Sequence, residues 1–206
     1  MATDQESFWM GEFGDEYSLR NDSDQLISSN LALFSRILQR MEVPKSILEL
    51  GANIGLNLTA LQILLPNCDL TAVEINEAAS KTLSRRIPSA VVVNTSIAEF
   101  SSDAQYDLVL AKGVLIHINP DQLVPAILKM LSLSSRYLIM CEYYSPRYET
   151  VTYRGHQERL YKGDFAGLAL DLDSDLRLVD YGFAYRRDPC FPMDDFSWFL
   201  LEKQQT

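Results

Sequence analysis

The sequence predicts an α/β domain with a mainly parallel sheet, closed at its end by an antiparallel hairpin. Three observations predict it. Strand-length apolar runs alternate with helical patterns between residues 47 and 142. A turn from Gly51 to Gly55 lies directly between the first strand and its helix. Two apolar runs near the end, 176–185 and 196–201, are too close for a helical crossover and should pair antiparallel. At 206 residues the chain suits one domain with one core, with no internal repeat.

The elements follow in order. Ile27, Leu31, Phe34, Leu38 and Met41 recur at steps of three and four, which predicts an amphipathic helix over 23–42. Asp22 or Ser23 caps it and Pro44 stops it. A strand is expected at 47–50, then a helix over 56–65 ending at Pro66. A second strand and helix follow at 70–75 and 77–86, and a third and fourth strand at 90–93 and 106–111. Asn119-Pro120 is a good start for a helix to about 131, although Pro125 falls early in it. A fifth strand is expected at 137–142. Residues 143–174 are polar and aromatic with no long period, and read as an irregular insertion.

Composition narrows the function. Apolar residues make up 47% and charged residues 22%, ordinary for a soluble globular chain. No apolar run approaches the ~20 residues of a membrane span, and the acidic, aromatic first twenty residues do not read as a signal peptide. A cytoplasmic protein without a membrane partner is expected. The net charge of −10 repels a polyanion, so a small molecule is the expected partner and no nucleic acid. Cys68, Cys141 and Cys190 form no CxxC pair and no metal site, and read as buried or half-buried small residues. No metal is expected, and the oligomeric state is left open.

The strongest motif is Ile47-Leu48-Glu49-Leu50-Gly51-Ala52-Asn53-Ile54-Gly55, an apolar strand entering a glycine turn that opens a helix. Gly51 frees the backbone and lets a ligand sit against it. Gly55 is expected to let the helix pack close to the strand. Asn53 stands where a further glycine is commonest, and asparagine tolerates left-handed geometry. Glu49 lies inside the apolar strand, where a carboxylate is costly unless it meets donors or a cation. It either tilts to solvent or helps hold a cationic ligand group. Glu74 ends the second strand, 23 positions after Gly51. An acid there can accept both hydroxyls of a ribose, or simply cap the next helix. The turn is not GxGxxG and offers no pyrophosphate cradle. S-adenosylmethionine is therefore expected as cofactor rather than NAD, with Glu49, Gly51, Ala52, Asn53, Gly55, Glu74 and Ile75 around it. Asn94-Thr95-Ser96-Ile97, after the third strand, resembles the stretch with which methyltransferases contact adenine, which implies Ser96 and Ile97 beside that ring. Residues 106–113 resemble their fourth-strand motif, which implies Lys112 near the transfer site.

With these motifs in order, residues 45–142 resemble the class I S-adenosylmethionine-dependent methyltransferases. The resemblance implies their Rossmann-like fold, a seven-stranded mostly parallel sheet with a C-terminal antiparallel hairpin. Further likeness lies at the ends. Residues 8–21, the Tyr153-Arg154-Gly155-His156 and Lys162-Gly163-Asp164-Phe165-Ala166-Gly167 stretches, and 179–189 are similar to methylases associated with pseudaminic acid biosynthesis. That implies a small-molecule acceptor such as a sugar or nucleotide-sugar, a nonulosonate precursor among them. An amino acid or natural product, and a non-catalytic cofactor-binding role, are the alternatives.

The residues at the ends bear on this. Trp9, Phe13 and Tyr17 sit at steps of four beside Arg20 and Asn21, and suggest one helix lying as a lid over the pocket within residues 1–42. Tyr17 and Arg20 can grip the cofactor carboxylate, arginine by its two-pronged fork; the stripe can equally just dock the helix. Residues 143–163 hold five of the ten tyrosines and four cations against two acids. Aromatic faces suit a sugar and the cations suit a carboxylate or phosphate, so Tyr143, Arg154, His156, Arg159 and Lys162 are the acceptor-binding candidates in the insertion 143–174. His156 is also the candidate catalytic base, with Tyr143 and Asp164 in reserve, while His117 reads as structural.

Overall fold

The computed structural model describes residues 3–204, and for residues 156–158 the backbone alone. Seven strands form one sheet in the order β3-β2-β1-β4-β5-β9-β8. Strands β1 (Ser46–Leu50), β2 (Asp69–Glu74), β3 (Val91–Asn94), β4 (Tyr106–Lys112) and β5 (Ser134–Glu142) run parallel. β9 (Ser197–Lys203) lies antiparallel between β5 and β8 (Leu176–Phe183).

Continuous apolar sequence explains the centre. Ile47, Leu48 and Leu50 of β1, Leu108–Ala111 of β4 and Leu138–Cys141 of β5 are sealed from solvent, as strands covered on both faces must be. The chain steps outward from β1 to β3, then returns to β4 and β5 on the other side. Right-handed crossovers therefore put α4 (Leu56–Leu64) and α5 (Glu77–Arg86) on one face and α6 (Pro120–Leu133) on the other. The reversal between β1 and β4 opens a crevice at the strands' carboxyl ends, where such sheets bind ligands.

α3 (Asp24–Leu38) packs on α4, and its cap Ser23 accepts the Leu26 amide at 3.3 Å. α6 keeps Pro125 within its second turn. A proline there removes one amide bond, and its ring crowds the Asp121 carbonyl one turn back.

Three expectations change. The aromatic stripe does not lie on one helix: the chain breaks at Gly11 into α1 (Asp4–Met10) and α2 (Glu12–Arg20). Trp9 still meets Phe13 at 5.4 Å and Tyr17 at 5.3 Å, because the two helices fold face to face. Gly14 makes that corner possible, since a Cβ there would lie 2.0 Å from the Trp9 carbonyl oxygen. Residues 143–174 are not irregular. They form a hairpin of β6 (Glu149–Tyr153) and β7 (His156–Lys162), then α7 (Phe165–Leu172), capped by Asp164, which accepts the Gly167 amide at 2.7 Å. The hairpin turns on Arg154 and Gly155, both at positive φ, the two-residue turn that matches strand twist. Cys190 is exposed, unlike buried Cys141 and half-buried Cys68.

Trp198 of β9 is 1% exposed. It fills the space over Gly182 of β8, with the Arg36 guanidinium 5.4 Å from its ring. Trp198→Ala should cost about 3–5 kcal/mol, read as a lowered urea midpoint with an unchanged slope.

Candidate active site

A cavity of about 840 Å³ occupies the crevice, within the size range of small-molecule sites. Gly51, Ala52, Asn53, Glu74, Ile75, Ser96, Ile97 and Lys112 all line it. So do Trp9 and Tyr17 from the N-terminal helices, and Met193, Asp194 and Phe196 from the segment before β9.

The turn after β1 is left-handed at Gly51 (φ +70°), Asn53 (+47°) and Gly55 (+83°). A side chain at Gly51 would strike Val114, 2.3 Å from its Cβ position. Gly55 serves differently from the expectation. The element that comes close to it is α5, through Leu83, and not the strand. Four of the turn's five amides point back into the protein: Gly51 and Ala52 donate to the Val73 carbonyl, Gly55 donates to Ala52, and Asn53 donates to Glu74 Oε2 at 2.7 Å.

Glu74 joins two loops. Its Oε2 takes the Asn53 amide and its Oε1 the Asn76 amide, each at 2.7 Å. Each oxygen keeps a further acceptor site, enough for a vicinal diol. Burial raises this carboxyl and the backbone amides lower it. Asn76 in turn donates to the Trp9 carbonyl at 3.2 Å and Asp15 at 2.8 Å, and Ser18 donates to Asn53 Oδ1 at 2.7 Å. These bonds fasten α1 and α2 to the cavity rim.

Glu49 does not tilt to solvent. It is fully buried, with Oε1 accepting the Asn57 amide nitrogen at 2.6 Å and Oε2 left without a partner. Burial pushes its carboxyl up to about 8, against the Asn57 bond and nearby Lys112. Asn57, rather than Glu49 itself, reaches the cavity wall. Glu142, at the end of β5, accepts the Val114, Leu115 and Ile116 amides at 3.1, 3.0 and 3.5 Å. Burial pushes it up to about 7. It thereby fixes the 3-10 turn Leu115–His117 and the Val114 contact with Gly51. Lys112 stands nearby with its Nζ 5.2 Å from the Phe196 ring.

The other candidates sit elsewhere. Arg20 is tied to Glu16 at 2.9 Å on the surface, 5.8 Å from the Phe13 ring, and does not line the cavity. Tyr17, by contrast, is half-buried at the cavity wall, its hydroxyl pushed up by desolvation. Tyr143 stacks on Phe196 at 4.8 Å behind the wall, and burial, with Asp194 nearby, pushes its hydroxyl up. Arg154 lies over Tyr153, Lys162 over Tyr143, and Arg159 over Phe8 while donating to Gln5 at 2.7 Å. The insertion's cations thus brace aromatic rings around the cavity instead of lining it. The side chain of His156 lies outside the described residues. Sequence reading missed Asn57, Glu142 and Asp194. A buried Glu49 needs a donor, and a polar residue in the first turn of the next helix was the available signal for Asn57.

Residues 48–139 match the family model of a methyltransferase domain. No curated protein matches the chain. Among solved structures, 1,6-didemethyltoxoflavin-N1-methyltransferase of Burkholderia thailandensis, with bound 1,6-didemethyltoxoflavin and S-adenosylhomocysteine, is 18% identical with a TM-score of 0.72. The match covers 97% of this chain and 87% of that one. Magnesium protoporphyrin IX methyltransferase of Synechocystis PCC 6803, with bound S-adenosylmethionine, is 14% identical at TM-score 0.68, covering 98% and 99%. The N-methyltransferase NodS of Bradyrhizobium japonicum WM9 is 16% identical at 0.69, covering 89% and 99%. The chain has the Rossmann-like fold of class I S-adenosylmethionine-dependent methyltransferases.

Glu49 and Glu142 bind protons more tightly folded than unfolded, so the stability they confer is full at low pH and is lost as pH rises toward 7–8. His117 is held neutral by burial, and its opposing contribution is confined to lower pH. The melting temperature of the ligand-free protein should therefore fall from pH 6.5 to 8. Glu49→Gln should flatten that slope in a thermal-shift series.

Proposed function

We propose that this protein is an S-adenosylmethionine-dependent methyltransferase that acts on a small molecule. One observation carries the reading. Glu74 offers two half-used carboxylate oxygens at the cavity wall, placed to take the two hydroxyls of a ribose. That pair of acceptors fits the ribose of the cofactor, and the matched methyltransferase-domain model over 48–139 supports the reading.

The residues divide the task. Glu74 takes the ribose hydroxyls, and Ile75 and Ile97 flank the adenine with Ser96 at its edge. Gly51, Ala52 and Asn53 supply the close backbone surface, and Gly55 its turn. Glu49 orients Asn57 toward the amino-acid end of the cofactor, with Tyr17 and Lys112 nearby. The bound cofactor supplies an electrophilic methyl on a charged sulfur. This chain's contribution is to align the acceptor with it and exclude water, and orientation of that kind can supply about 7–11 kcal/mol. Residues 4–20 act as a lid, and the 143–174 insertion builds the acceptor side from behind the wall.

The finer reading is a sugar or nucleotide-sugar acceptor, such as a nonulosonate precursor. It is supported by the similarity of both ends to methylases associated with pseudaminic acid biosynthesis, and by the aromatic wall of Trp9, Tyr17 and Phe196.

Titration calorimetry should give one saturable site for S-adenosylhomocysteine and no heat for NAD. Glu74→Gln should weaken S-adenosylhomocysteine at least tenfold, about 1.4 kcal/mol. Equal affinity in that variant, or preferential NAD binding, overturns the reading.

A further inference from the structure

His117 closes the 3-10 turn between β4 and α6 and lines the cavity. Its Nδ1 lies 2.7 Å from the Arg159 carbonyl oxygen on β7. A carbonyl oxygen only accepts, so Nδ1 carries the hydrogen. Burial pulls the imidazole down to about 4, so the ring is neutral at pH 7 and Nε2 keeps its lone pair. The ring is also held in place. Trp9 packs at 4.6 Å and Tyr153 at 5.3 Å, and Glu142 pins the turn by three amides. Nε2 has no protein partner among the described residues, and it is not among their sealed, unsatisfied polar atoms. That leaves a fixed acceptor lone pair on a residue of the cavity wall.

We propose that Nε2 of His117 receives the hydrogen of the acceptor group that is methylated, a hydroxyl or a primary or secondary amine. This rests on the methyltransferase reading above. In the step, the acceptor oxygen or nitrogen bonds to the methyl carbon as the carbon–sulfur bond breaks, its electron pair staying on sulfur. The acceptor's proton passes to Nε2 and from there to water. The assignment restricts the substrate class: acceptors without a hydrogen on the nucleophilic atom, such as thioethers and tertiary amines, have nothing to give this group.

The test uses the full chain labelled with ¹⁵N-histidine and loaded with S-adenosylhomocysteine. The chain has two histidines, and H117Q assigns the signals. The expected result at pH 7 is a neutral His117 protonated on Nδ1, carbethoxylated by diethylpyrocarbonate on Nε2. H117Q should keep its S-adenosylhomocysteine affinity within twofold. Across a panel of monosaccharides, amino sugars and amino acids as acceptors, it should lose about 100-fold or more in turnover. An Nε2-protonated tautomer, a His117 spared by the reagent, or undiminished turnover in H117Q overturns the proposal. Failure of S-adenosylhomocysteine to bind the parent protein would instead sink the cofactor reading.

Discussion

The bridging carboxylate of Glu74 is the constraint on which the site depends. It holds two backbone amides from loops after different strands, Asn53 after β1 and Asn76 after β2. Those same two asparagines anchor the N-terminal helices through Ser18, Asp15 and the Trp9 carbonyl. One buried acid therefore sets the spacing of the turn, the start of α5 and the position of the lid. A buried carboxylate is costly without donors, and here charge-assisted bonds to amides offset that cost.

A second buried acid does for the opposite wall what Glu74 does for the first. Glu142 gathers three consecutive amides, which shapes the turn after β4 and presses Val114 against Gly51. The hairpin β6–β7 reaches the same turn from the other side through the Arg159 carbonyl. Arg159 also reaches α1 through Gln5. The insertion, the N-terminal helices and the central sheet thus meet at one place, the wall opposite the ribose carboxylate.

Much of this was legible in the sequence, for physical reasons. A buried parallel strand must be a continuous apolar run, so Ile47–Leu50 and the strands beside it announce themselves. The positive φ at Gly51 and Asn53 follows from their residue types. The hairpin escaped because its strands are short and carry few aliphatic residues, although Thr-Val-Thr-Tyr before Arg-Gly carries the alternation and the turn. The single N-terminal helix was wrong because a four-residue spacing survives a corner: Trp9 meets Phe13 and Tyr17 across a bend as readily as along a face. Side-chain direction is what spacing conceals. Arg20 turned to Glu16, and the insertion's cations turned to aromatic rings. Those choices are made by contacts distant in sequence.

The position of β9 has a consequence for how the chain acquires its structure. It is the last strand in chain order, yet it sits inside the sheet, between β5 and β8. Until β9 is in place, β5 has an unsatisfied ladder on that side and β8 has no neighbour. A partly folded domain lacking that one strand presents a long sticky margin to other chains.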